Sequence, residues 1–90
     1  MFLVKFSEDP ELFFTRRTKS STLPLGTPYP GAARAFSYET AFLVAQKLKD
    51  LGYIAACVCL PNGQPATVED IAAPPNLQAT AEFALAWDAD

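Results

Sequence analysis

Histidine is absent from this 90-residue chain. Its absence removes the usual general base and the commonest metal ligand, and with them most hydrolase and zinc-site chemistry. Cysteine is scarce: only Cys57 and Cys59 occur, two soft ligands where zinc takes four, so no metal site within one chain is expected. No apolar run approaches the roughly 20 residues of a membrane-spanning helix. Met1-Phe2-Leu3-Val4-Lys5 carries its first Lys after the apolar residues, the reverse of a signal peptide. Both features predict a cytoplasmic protein. A nucleophile with its base and a phosphate-binding loop are likewise missing, which leaves carboxylates. Glu69 and Asp70 are adjacent, so they point apart in a strand and lie about 100° apart in a helix, and neither arrangement creates a shared proton site. The expectation is a protein that is not an enzyme and has no cofactor.

Core material is plentiful, with 50% apolar and 12% aromatic residues. A chain of this size buries roughly 60% of its extended surface, enough for one small core, so residues 1–90 read as a single domain. Charge is unevenly spread. Residues 1–49 hold all seven basic residues against Glu8, Asp9, Glu11 and Glu39, a balance of +3, whereas from Asp50 onward the six charged residues are all acidic, a balance of −6. A basic patch and a separate acidic face are expected, the latter suited to a partner with a basic surface or serving solubility alone.

Phe2-Leu3-Val4-Lys5-Phe6 and Leu12-Phe13-Phe14-Thr15, separated by the turn-forming Glu8-Asp9-Pro10-Glu11, predict a β-hairpin. Phe2, Val4 and Phe6 share the face that packs on a helix. Residues 16–33, rich in Pro, Gly, Ser and basic residues, exclude a helix or a central strand and predict one long loop, with a short edge strand at Ser20–Leu25 as the alternative. Ser37 to Leu51 predicts the main helix: Ser37 caps it, Ala41, Val44, Ala45, Leu48 and Leu51 recur at the helical period, and Gly52 ends it with Tyr53 folding back. Phe42 and Leu43 widen the apolar stripe, leaving one of them available to a partner. Tyr53 to Leu60 predicts a strand and Pro61-Asn62-Gly63-Gln64 a reversal. Within that strand Cys57 and Cys59 point to one face with Cβ atoms roughly 7 Å apart, too far for an unstrained disulfide, and read as buried thiols. The segment 77–87 fits either period, and the alternation of Phe83, Leu85 and Trp87 favours a strand. These elements define an α+β fold: a small, mostly antiparallel sheet with one main helix packed on one face.

Two candidate surfaces follow. Glu69, Asp70, Glu82 and Asp88, with Phe42 and Tyr29 as aromatic anchors, suit a protein partner or nucleoprotein complex with a basic surface. Arg16, Arg17, Lys19 and Arg34, with Phe13, Phe14 and Tyr29 nearby, carry the ingredients of a nucleic-acid contact, although few charges are available against a pI near 4.7. An exposed strand edge or Phe42-Leu43 would alternatively support a homo-oligomer.

Ala33-Arg34-Ala35-Phe36-Ser37 before the helix and Leu51-Gly52-Tyr53 after it, preceded by a strand pair and a variable loop, resemble a pattern met in small phage and prophage proteins. The resemblance spans Phe2 to Val58, about two-thirds of the chain, and rests on cap and core positions. Similar small acidic phage proteins include anti-CRISPR inhibitors, which bind a nucleoprotein effector and block its DNA-binding surface or its conformational change. What this resemblance implies is a non-enzymatic inhibitor acting in the host bacterial cytoplasm.

Overall fold

A computed structural model describes residues 1–17 and 24–67 together with Phe83 and Trp87. β1 (Leu3–Glu8) and β2 (Glu11–Arg17) form the expected antiparallel hairpin, and the Ser7 hydroxyl donates to the Pro10 carbonyl at 2.7 Å to close the reversal. A register shift between Lys5 and Ser7 keeps Phe13 opposite Lys5 and brings Leu12 opposite Ser7.

The stretch 16–33 departs from the expected single loop. β2 runs on to Arg17, Pro24–Thr27 forms β3 antiparallel to it, and Pro30–Ala32 makes one 3-10 turn. Proline and glycine exclude a central strand, but β3 lies at the sheet edge, where only one side of the backbone must pair. Gly26 has a specific task there. A Cβ built on it would lie 2.6 Å from Cζ of the Phe6 ring and 3.2 Å from Cβ of Leu12, so Phe6 packs on bare backbone.

Strand order is β3-β2-β1-β4, with β4 (Cys57–Cys59) paired antiparallel to β1. The helix α1 (Tyr38–Asp50) matches the expected span, with Ser37 Oγ accepting from the Thr40 amide as N-cap. Its C-terminus is a Schellman motif: Tyr53 N–H donates to the Leu48 carbonyl, Gly52 N–H to the Lys49 carbonyl, and Gly52 sits at φ +104°. Leu51, expected on the buried stripe, is 46% exposed because it caps the helix beyond the sheet. The strand expected at Tyr53–Leu60 shortens to three residues. Tyr53 is consumed by the cap, and Ala56 N–H donates back to the Tyr53 carbonyl in a turn that leaves Ile54 89% exposed.

Val4, Phe6, Phe14 and Phe36 pack under Ala41, Val44, Ala45 and Leu48 of α1, with Tyr53 edge-on to Phe6 at 5.5 Å. Phe36 reaches this core because it bridges Phe2 through paired backbone hydrogen bonds of 2.7 and 2.8 Å. Phe83 and Trp87 are both helical and buried, correcting the expected strand at these two positions. A spacing of four places both rings on one side of a helix, and they stack at 6.4 Å while Trp87 also lies 5.9 Å from Phe14.

The sheet's second face carries Leu3, Phe13 and Cys59, with Ala33 and Cys57 packed against them. It is covered by the predicted reversal, where Gly63 sits at φ +89° and a Cβ would meet Pro30 Cγ at 2.9 Å and Phe13 Cζ at 3.2 Å. Among the described residues the returning chain pairs through one bridge, Cys59 to Pro65, made by two hydrogen bonds, Leu60 N–H to the Gln64 carbonyl and Ala66 N–H to the Val58 carbonyl. Gly26→Ala is expected to destabilise the fold by about 1–3 kcal/mol through overpacking against Phe6, read as a lower midpoint in urea unfolding, whereas an unchanged midpoint would show that the ring moves freely.

Candidate functional site

Antiparallel pairing of β1 with β4 sets Lys5 opposite Cys57 and Leu3 opposite Cys59. Directly opposed residues project to the same face, so the period-two spacing of the thiols and the strand register together place both sulfurs and the Lys5 side chain on the face away from α1. The Cys57 and Cys59 Sγ atoms lie 3.7 Å apart, and Cys59 Sγ is also 3.9 Å from the Cys57 carbonyl oxygen. The side chains thus converge well inside the spacing expected of their Cβ atoms. Both thiols are free; Cys59 is fully buried, and Cys57 is half-buried rather than buried as expected.

Lys5 is only 7% exposed, yet its Nζ lies 3.7 Å from Glu8 Oε1 and 3.8 Å from Glu11 Oε2, both on largely exposed side chains. Its stem is covered by the sheet and its ammonium sits at the margin. The thiol–thiol hydrogen bond holds Cys57 down at about 6, against the opposing effect of burial and with help from the Lys5 and Lys49 cations. The same bond, then burial, pushes Cys59 up. One proton is shared by two sulfurs, and Cys59 keeps it. Burial pulls Lys5 down, but Cys57, Cys59, Glu8 and Glu11 together raise it, so it stays cationic.

On the helix side, Tyr38, Phe42, Ala45, Gln46 and Lys49 of α1 face Ala56, Cys57, Val58, Pro65 and Ala66 across a groove of about 240 Å³. Tyr38 links an aromatic row, edge-on to Phe2 at 5.5 Å and 6.2 Å from Phe42. Leu43 packs on the core, whereas half-buried Phe42 borders the groove. This groove brings Phe42 together with Cys57, a pairing that sequence reasoning missed because it depends on β4 docking beside α1.

Of the other predicted site residues, Tyr29 is 70% exposed on the chain following β3. Arg16 is exposed on β2, and Arg34 is exposed with its guanidinium 5.4 Å from the Phe36 ring centroid. Arg34 therefore covers a buried core ring in addition to carrying charge. Arg17 ends β2 opposite Pro24. Lys19, Glu69, Asp70, Glu82 and Asp88 lie outside the described residues. Among the described residues no helix is long and apolar enough to cross a membrane. No protein-family model, curated protein or solved structure matches the chain.

Iodoacetamide is expected to alkylate Cys57 with a pH midpoint near 6 and to spare Cys59 in the folded chain. Thiolate, not thiol, reacts, so Lys5→Met, which removes a stabilising cation, should move the midpoint upward toward the ~8.5 of an ordinary thiol. Lys5→Arg should hold it low. Equal alkylation of both cysteines, or a midpoint unmoved by Lys5→Met, would contradict this arrangement.

Proposed function

We propose that the chain is a non-enzymatic protein-binding module of the phage-encoded, anti-CRISPR-like type, acting on a larger nucleic-acid-handling complex with a Lys- and Arg-rich surface. The observation that carries this reading is the groove between α1 and β4, whose aromatic side chains Tyr38 and Phe42 stand beside the core. Aromatic anchors next to a concave site are the usual centre of a protein contact, each worth about 2 kcal/mol or more when truncated. Charge supports a basic partner. Glu69 and Asp70 follow Ala66, a residue of the groove wall, by three and four positions, and no basic residue follows Lys49 anywhere in the chain. A partner that seats an apolar side chain in the groove and presents Lys or Arg beside it would give up cations that otherwise hold phosphates.

The test is inhibition of target-DNA binding by a panel of purified DNA-targeting CRISPR effector complexes, measured with the chain at near-stoichiometric concentration. Inhibition is expected for at least one effector, and Phe42→Ala or the combined Glu69→Lys and Asp70→Lys change should weaken it at least tenfold. An absence of inhibition across the panel would sink the inhibitor assignment, and inhibition untouched by both variants would sink the groove. Direct retention of single-stranded DNA at low salt, lost on substituting Arg16 and Arg34, would instead favour a nucleic-acid accessory.

A further inference from the structure

The proposed binding groove uses Cys57 only as part of its wall and gives no role to the two thiols, which point to the opposite face of β4. We propose that Cys57 and Cys59 form a reversible dithiol–disulfide site, Cys57 attacking and Cys59 resolving, whose reactant is a low-molecular-weight disulfide such as oxidised glutathione.

Four observations divide the roles. The sulfurs are already 3.7 Å apart. Cys57 is half-buried and so open in part to a small reactant on the face away from α1, whereas Cys59 is fully buried in the cluster with Leu3 and Phe13. Lys5 lies opposite Cys57 in the ladder and supplies a fixed cation for the attacking thiolate and for the anionic leaving group. Finally, β4 is a three-residue edge strand whose outer side is tied, among the described residues, by one two-hydrogen-bond bridge, so it can shorten on ring closure.

The chemistry balances. The Cys57 thiolate attacks one sulfur of the disulfide, forming a mixed disulfide and expelling a thiolate. That thiolate, or water, takes the Cys59 proton; the Cys59 thiolate then attacks Cys57 Sγ, closes the Cys57–Cys59 bond and expels the second thiolate. The dithiol loses two electrons and the small disulfide gains them, with excess reduced thiol reversing both steps. Two residues along an extended strand separate Cα atoms by roughly 6.6 Å, near the upper limit of disulfide geometry, so the bond is strained and readily reduced. Such a bond switches with the thiol pool instead of stapling the fold.

The experiment equilibrates the folded chain in glutathione buffers from mostly reduced to mostly oxidised, followed by acid quench, alkylation and intact mass. The expected product is the chain lighter by two hydrogens and free of adduct, half-formed at an intermediate glutathione ratio and fully reversible. Cys59→Ser should accumulate a glutathione adduct at Cys57, whereas Cys57→Ser should form its adduct at Cys59 at least tenfold more slowly. Lys5→Met should slow the first step at pH 7. A wild-type chain that stays reduced in mostly oxidised buffer, one that stops at the mixed disulfide, or one that closes the bond only in denaturing urea would overturn the proposal. Equal adduct rates in the two serine variants would overturn the division of roles.

Discussion

Burial of β1 on both sides is the constraint that places the rest of the molecule. Val4 and Phe6 lie beneath α1, while Leu3 and Lys5 are buried on the opposite face, where Leu3 clusters with Phe13 and Cys59 and Ala33 packs against them. This doubly buried strand is interior to the sheet, with the hairpin partner β2 on one side and the returning β4 on the other. The apolar side chains Leu3, Val4 and Phe6, each contributing about 1.5–3 kcal/mol by burial, bind the two layers into one unit.

Local chemistry was the legible part of this fold. Ser37, Gly52 and Tyr53 announce both ends of α1 because cap geometry is decided within a few residues, and all three act as read. Pairings between distant segments were less accessible. β3 was hidden by Pro24 and Gly26, which argue against strands in general but are admitted at an edge, and the need for Gly26 appears only once Phe6 is seen lying on it. At the C-terminal side, Phe83 and Trp87 satisfy both periods, and stacking with each other and with Phe14 accompanies the helical one.

The candidate sites divide along the same line. A shared face for Cys57 and Cys59 followed from a spacing of two in a strand. Their partnership with Lys5 did not, because the ladder register joins residues at opposite ends of the described chain. Phe42 beside Cys57 also depends on how α1 lies against β4. The residues 56–58 consequently serve two faces at once: they wall the aromatic groove on one side and present a thiol to Lys5 on the other.

Lys5 is the least economical choice for a position covered this well. Desolvating an ammonium opposes its charge, and the ion pairs with Glu8 and Glu11 are long and made to exposed carboxylates, the kind that contributes about 0–1 kcal/mol. An apolar side chain of similar length would pack the same space at equal or greater stability. The groups that repay the cation are the sulfurs. The Cys57 thiolate favours the charged Lys5, and Lys5 in turn favours the Cys57 thiolate. In the proposed dithiol chemistry this cation stands in the ladder opposite the attacking sulfur, at a position where packing alone favours an apolar side chain.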